Sequence, residues 1–141
     1  MDKSNCMSLI KIDGLKRHYE MTSGTVKALD GIDIEIEQGE RVILLGPSGS
    51  VKTTLLNCLS ALDSPTDGTY SFDGNEVPRN DSEKMTSFRR ENIGYVFQFF
   101  NLLQDLTVRE NIQLIQELSG KKDPQRALEL LELVGLENEV D

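Results

Sequence analysis

Residues 42–54 are Val42-Ile43-Leu44-Leu45-Gly46-Pro47-Ser48-Gly49-Ser50-Val51-Lys52-Thr53-Thr54, an aliphatic run followed by small residues and then by Lys-Thr-Thr. The run at residues 42–45 has the pattern of a strand that is buried on both faces. Leucines recur at helical spacing after the loop: Leu55, Leu56, Leu59 and Leu62. A helix is therefore predicted from Thr53 to about Leu62, preceded by a glycine- and serine-rich loop.

The loop has the setting of a P-loop, a phosphate-binding loop of the pattern GxxxxGK[ST]. Backbone N–H groups at such a helix N-terminus bind phosphate oxygens, helped by the helix dipole. Lys52 would contact the outer phosphates, the Thr53 hydroxyl would suit Mg²⁺, and Thr54 would reach an inner phosphate. The predicted nucleotide-binding residues here are Gly46, Pro47, Ser48, Gly49, Ser50, Val51, Lys52, Thr53 and Thr54. An ordinary Gly/Ser turn would explain the glycines but not Lys-Thr-Thr.

One position departs from the P-loop pattern, because Val51 stands where a glycine should precede Lys52. A β-branched residue is an outlier wherever the backbone must take positive φ. If the glycine conformation is required, strain of about 1–3 kcal/mol would weaken nucleotide binding roughly 5- to 150-fold. P-loop geometry and tight nucleotide binding are therefore two separate hypotheses.

The first part of the chain has the pattern of β-structure. Ile32, Ile34 and Ile36 alternate with acidic residues, which predicts a half-buried antiparallel strand over residues 32–37. Other strands are predicted at residues 9–12, 69–72 and 93–97, and residues 14–24 are interpreted as polar turn. A polar helix is predicted at residues 82–90.

The pattern becomes helical from about Thr107. Thr107 and Glu110 have the spacing of a capping box, and Asp123 with Pro124 suits the start of a second helix that stops at Gly135. The apolar stripe of the first helix is Val108, Ile112, Ile115 and Leu118. The buried stripe of the second is Ala127, Leu130, Leu131 and Val134. The predicted fold class is α/β, with an antiparallel β part, a P-loop core around residues 42–45 and 93–97, and this helical part.

Composition excludes several classes of protein. The 141 residues include 15 Lys and Arg against 24 Asp and Glu, a net charge of −9, which disfavours nonspecific nucleic-acid binding. Cys6 and Cys58 have no neighbouring Cys or His, so reduced thiols are expected rather than a metal site. The chain has no bilayer-length apolar run and no apolar segment after Met1, which predicts a cytosolic, soluble protein.

Over nearly all of its length the sequence resembles the ATP-binding subunits of ABC transporters. The resemblance is carried by VKALDGIDIEIEQGERVILLGPSGS from Val26, LDSPTDGTYSFDGNEV from Leu62, and FRRENIGYVFQFFNLLQDLTVRENI from Phe88. The sequence around Gln98 is most similar to the branch that serves lipoprotein release, macrolide export and peptide-antibiotic resistance. The resemblance implies a partial ABC ATP-binding domain, with a β-rich P-loop core at residues 1–100 and the start of a helical subdomain at residues 101–141.

The resemblance also implies roles for residues outside the loop. Tyr19 would stack on adenine, and Gln98, the catalytic candidate, would join Thr53 at Mg²⁺ and reach the attacking water. The surface at Phe99, Phe100, Asn101 and Leu102 would touch a transmembrane permease subunit and so hold the chain at the inner face of the cell membrane. Phe97 is interpreted as a core aromatic. A complete version would bind ATP and Mg²⁺ and pair as a homodimer or with a second ATP-binding subunit.

Parts of the family pattern do not occur in these residues: the LSGGQ-type signature, the Walker B strand with its catalytic Glu, and the switch His, for which His18 is misplaced. The final stretch LLELVGLENEVD is similar to the lead-in to the signature, so an N-terminal fragment that does not hydrolyse ATP alone is expected. The alternative is a non-catalytic remnant or interaction module that docks on a membrane subunit.

Other P-loop classes fit the sequence less well. A GTPase would carry an N/TKxD motif, and a kinase would need a lid or acceptor-binding arginines. The compact segment at residues 93–112, without a long insertion, favours a transporter subunit over the ABC ATPases of DNA repair and the ribosome. The cargo and the direction of transport have no signal in the sequence.

Overall fold

The computed structural model describes residues 8–47, 51–99 and 101–138. Its strands are β1 (Ile10–Met21), β2 (Gly24–Ile36), β3 (Asp67–Phe72) and β4 (Asn75–Glu76). They form one antiparallel sheet in the order β2-β1-β3-β4. The helices are α1 (Lys52–Leu59), α2 (Ser82–Asn92), α3 (Val108–Leu118) and α4 (Pro124–Leu133). The chain divides into two units between Arg89 and Arg90, within α2.

The hairpin of β1 and β2 confirms the strand predicted from alternating isoleucines. Ile34 lies opposite Ile12 and Ile32 lies opposite Leu15, so the apolar positions of the two strands meet across the ladder. The turn predicted at residues 14–24 was wrong for most of its length, because β1 continues to Met21. Gly14 lies within β1 at a register shift between Ile12 and Leu15, where its φ is +58°.

The core of the first unit lies between this sheet and α1. Leu15 of β1 and Leu29 of β2 are fully buried, and Leu55 and Cys58 of α1 belong to the same cluster. The Tyr70 hydroxyl of β3 donates to the Leu59 carbonyl at 2.8 Å, which ties the end of α1 to the sheet. Burial raises the pKa of Tyr70 to about 12, so this phenol remains a hydrogen-bond donor at neutral pH.

The two aliphatic runs that were predicted as strands of the P-loop core are not strands. Residues 41–47 and 93–97 have no regular secondary structure, and neither run pairs with another segment that the structure describes. Ile43 is 80% exposed, Leu45 is 87% exposed and Val96 is fully exposed, although Leu44 contacts the core cluster. A strand needs a hydrogen-bonded neighbour, and the described part of the chain supplies none to these runs.

The second unit contains α3 and α4, which begin where the sequence predicts. Thr107 accepts a hydrogen bond from the Glu110 amide, and the Glu110 carboxylate accepts one from the Thr107 amide, so the capping box is confirmed. The α4 N-cap is Asp123, and Gly135 follows the helix with a φ of +74°. Ala127 and Leu131 are buried as predicted, but Val134, predicted in the same stripe, is exposed at the C-cap.

The capping box leads to a prediction for α3. Thr107→Ala is expected to lower the free energy of unfolding by about 1 kcal/mol, because the Glu110 amide loses its side-chain acceptor. Thr107→Ser keeps an acceptor and is expected to stay within about 0.5 kcal/mol of the parent. Urea unfolding followed by far-UV circular dichroism measures both values, and equal losses in the two variants would contradict the capping role.

Candidate nucleotide-binding site

The predicted P-loop lies between the aliphatic run and α1, and its lysine contacts the first two residues of the loop. The Lys52 ammonium donates to the Gly46 carbonyl at 2.5 Å and to the Pro47 carbonyl at 2.7 Å. The cation is therefore held at the start of the predicted phosphate-binding loop. The predicted residues Ser48, Gly49 and Ser50 lie outside the described residues.

The start of α1 suits an anion. Val51 is the N-cap residue and makes no side-chain capping hydrogen bond, and the first turn contains no acidic residue. Lys52 instead places a cation in that turn, where the positive end of the helix dipole disfavours it. A bound anion would relieve both features, because it accepts from the N-terminal amides and pairs with Lys52.

The backbone at Val51 corrects one premise of the sequence interpretation. Val51 has φ −45° and ψ −22°, in the right-handed helical region, and its carbonyl accepts from the Leu55 amide at 2.9 Å. The positive φ that would have strained a β-branched residue is absent here, so the predicted strain of about 1–3 kcal/mol does not apply.

The backbone conformation of Val51 sets the size of the Val51→Gly effect. This substitution is expected to change the free energy of unfolding by less than about 0.5 kcal/mol, because the flexibility of glycine at a helical backbone position and its advantage over valine as an N-cap residue act in opposite directions. Relief of a strained positive φ would instead raise the free energy of unfolding by about 1–3 kcal/mol. Val51→Ala, which keeps helical preference without the branched side chain, is the matched control. Urea unfolding of the three proteins measures the effect, and a glycine variant stabilised by more than about 1 kcal/mol over both others would contradict this backbone conformation.

The candidate metal ligands are hydroxyl and amide oxygens. The side chain of Thr53 is exposed at the start of α1, and Thr54 beside it is half-buried. Within residues 8–47, 51–99 and 101–138, no three His, Cys, Asp or Glu side chains are grouped to hold a metal ion. A single hydroxyl such as that of Thr53 suits Mg²⁺ that arrives with a nucleotide, because Mg²⁺ keeps few protein ligands and takes phosphate oxygens.

Tyr19 belongs to a cluster with Arg17 and Asp63 that sequence reasoning missed. The Tyr19 hydroxyl and the Arg17 Nε both donate to Asp63 Oδ2 at 2.8 Å. The Arg17 guanidinium carbon lies 4.4 Å from the centroid of the Tyr19 ring. Desolvation lowers the pKa of Arg17, but its hydrogen bonds to Asp63 and Tyr19 outweigh this, so the pKa is raised and the cation persists. An Arg and a Tyr two positions apart on a strand share one face, which was the available signal.

Gln98 belongs to the second unit. It is exposed, in a segment without regular secondary structure, and its assignment to metal and catalysis stays a prediction. Phe97 was predicted as a core aromatic, and this was wrong: it is 56% exposed and stacks on Tyr95 with the ring centroids 5.6 Å apart. Phe99 and Leu102 are exposed, whereas Phe100 lies outside the described residues.

A family model described as ABC transporter matches residues 29–141, which include the loop, α1 and Gln98. The chain belongs to the ABC transporter family. The match covers well over half of the chain and includes the Lys-Thr-Thr sequence with which α1 begins.

Related proteins place the chain among ABC ATP-binding proteins. It is 41% identical over 131 residues to the "Lipoprotein-releasing system ATP-binding protein LolD" of Bacteroides thetaiotaomicron, covering 91% of this chain and 58% of that protein. It is 39% identical over 136 residues to the "Macrolide export ATP-binding/permease protein MacB 1" of Aeromonas hydrophila, covering 94% of this chain and 21% of that protein. The chain thus spans less than two thirds of each relative.

A solved ABC cassette confirms the fold class. The chain superposes with a TM-score of 0.80 and 36% identity on "Dimeric structure of a post-hydrolysis state of the ATP-binding cassette MJ0796 bound to ADP and Pi", covering 93% of this chain and 60% of that one. The predicted α/β ABC ATPase fold is therefore confirmed, even though the two aliphatic runs are not strands. In the part of the chain that the structure describes, no helix is long and apolar enough to cross a bilayer.

Proposed function

We propose that this chain binds Mg-ATP and forms part of an ATP-binding subunit that couples ATP hydrolysis to substrate movement through a separate membrane subunit. The observation that carries the proposal is the start of α1, where Lys52 coincides with a first turn without acidic residues and with an N-cap residue, Val51, whose side chain makes no capping hydrogen bond. Family membership supports ATP as the anion, since relatives such as LolD are named as ATP-binding proteins.

Different residues are assigned to different parts of the Mg-ATP. Lys52 and the α1 amides hold the phosphates, the Thr53 hydroxyl faces the metal, and Tyr19 provides an aromatic surface for adenine. When bound, Mg²⁺ neutralises phosphate charge. Gln98 is assigned to the metal and to the attacking water. Hydrolysis is proposed for the whole protein, because the signature, Walker B and switch His sequences do not occur in these 141 residues.

The partners follow from the same family. Phe99 and Leu102 are exposed apolar side chains of the second unit and would contact a permease subunit at the inner face of the membrane. The MacB relative carries ATP-binding and permease functions in one protein by its name, which supports such a contact. The MJ0796 cassette is dimeric by its title, which supports pairing of two ATP-binding subunits.

Isothermal titration of the folded chain with Mg-ATP tests the proposal. Saturable binding with one nucleotide per chain is expected, and Mg-tripolyphosphate, which has the phosphates without the base, is expected to bind more weakly at the same site. Circular dichroism first establishes that the chain is folded. A folded chain that binds neither ligand would overturn the proposal and would favour a docking module without nucleotide.

A further inference from the structure

The cluster of Arg17, Tyr19 and Asp63 holds an aromatic ring both by its hydroxyl and by one face. Both polar donors converge on one oxygen, Asp63 Oδ2, at 2.8 Å each. The guanidinium of Arg17 lies against the Tyr19 ring at 4.4 Å from its centroid. The Asp63 carboxylate thus holds the Tyr19 hydroxyl, and the Arg17 guanidinium covers one face of the ring. These two charged groups also hydrogen-bond to each other.

The carboxylate is itself held in place. Its other oxygen, Asp63 Oδ1, accepts from the Ser64 amide at 2.9 Å, and the Asp63 amide donates to the Asn57 carbonyl of α1 at 3.1 Å. Arg17 and Asp63 side chains are each 24% exposed, so water screens their ion pair less than it screens the exposed pairs of this chain. Asp63 therefore links Tyr19 on β1 to the helix that begins at the phosphate loop.

Resting on the proposed function, we infer that Arg17 and Asp63 are positioning residues that hold Tyr19 as a preformed platform for the purine base. A base stacks on a fixed ring without the loss of rotamer freedom that a mobile tyrosine would suffer. Stacking of a base on an aromatic side chain contributes enough that its loss is measurable as affinity. The guanidinium also polarises the ring from the side that it covers.

Base-dependent affinity distinguishes positioning from a purely structural role. Arg17→Gln is expected to weaken Mg-ATP binding about fivefold to tenfold, whereas binding of Mg-tripolyphosphate stays within about twofold of the parent. The matched control is Lys16→Gln, which removes the same charge from the same strand. Lys16 pairs with Asp67 at 3.3 Å in an exposed contact, so both affinities are expected to stay within about twofold.

A second readout reports on the ring without any nucleotide. The chain has three tyrosines, so fluorotyrosine labelling gives few ¹⁹F resonances, and Tyr19→Phe identifies the one from Tyr19. Arg17→Gln and Asp63→Asn are each expected to move this resonance toward the position of free fluorotyrosine. Tyr70 of β3 is buried and serves as the internal reference for folding in Arg17→Gln, where its resonance is expected to stay in place. Tyr70 and Asp63 line one small cavity, so circular dichroism checks the folding of Asp63→Asn.

The outcomes separate this inference from the proposed function. If the parent binds Mg-ATP but Arg17→Gln loses affinity for ATP and tripolyphosphate equally, or for neither, the positioning role is overturned and ATP binding stands. An unmoved Tyr19 resonance in both variants overturns it as well. Failure of the folded parent to bind Mg-ATP overturns the proposed function and this inference with it, and that result is visible before any variant is compared.

Discussion

Lys52→Ala is expected to lower the affinity for Mg-ATP by about 30-fold or more. Charge-assisted hydrogen bonds are each worth roughly 1.5–3 kcal/mol, and the Lys52 cation is held at the Gly46 and Pro47 carbonyls, at the start of the predicted phosphate-binding loop. The stability of the free chain should change little. The lost hydrogen bonds to the Gly46 and Pro47 carbonyls are exposed to solvent. Removal of a cation from the start of α1 also removes its unfavourable interaction with the positive end of the helix dipole.

Isothermal titration with Mg-ATP measures this effect, and urea unfolding checks the stability. The matched control is Lys84→Ala, since Lys84 also lies near the start of a helix, in an exposed pair with Asp81 at 3.2 Å. Its ATP affinity is expected to equal that of the parent. If Lys52→Ala keeps the parent's affinity, the lysine does not contact the phosphates. The assignment of the loop to phosphate binding would then lose its main support.

Gly68→Ala is expected to lower the free energy of unfolding by about 3 kcal/mol or more. A Cβ at Gly68 would lie 2.5 Å from the Gly14 carbonyl oxygen, 2.6 Å from its carbon and 2.7 Å from Leu15 Cα. All three are backbone atoms, so β1 and β3 must separate locally at the register shift. The φ of +87° at Gly68 adds strain for any L side chain. Such a loss is a large share of the roughly 5–15 kcal/mol that stabilises a domain.

Gly31→Ala separates the two causes of this loss. Gly31 has a φ of +89°, nearly that of Gly68, but a Cβ there meets no atom within 4 Å. It is therefore expected to cost only the conformational strain, about 1–2 kcal/mol. Urea unfolding of both variants gives the difference, which is the cost of the close approach between the strands. Equal losses at the two positions would mean that β1 and β3 do not approach as described.

Features with local causes were predictable from the sequence. The capping box at Thr107 and Glu110, and the N-cap at Asp123, depend on residues within one helical turn, and both are confirmed. The strand predicted at residues 42–45 is wrong, because composition indicates a strand but only a distant neighbour can pair with it. The turn predicted at Gly14 is wrong as well, since a bulge and a turn demand the same backbone freedom.

In the candidate site, too, local features were predictable from the sequence and long-range contacts were not. The lysine and threonines of the phosphate loop were recognisable from their order along the chain. The link from Arg17 and Tyr19 to Asp63 was not, because it joins residues more than forty positions apart and depends on how β1 lies against the end of α1. The motif also does not predict the conformation of Val51. The glycine that the motif has at this position suggests a positive φ, but Val51 has a helical backbone.

The exposed aliphatic run has a consequence for the chain during its synthesis. The hairpin of β1 and β2 joins residues close in sequence, so it can form early, and the core around Leu15 and Leu29 closes without Ile43 or Leu45. Those side chains are exposed in the part of the chain that the structure describes. Molecular chaperones act on newly made proteins that expose such apolar surface. We therefore expect this run to be one of the segments of the nascent chain to which a chaperone binds.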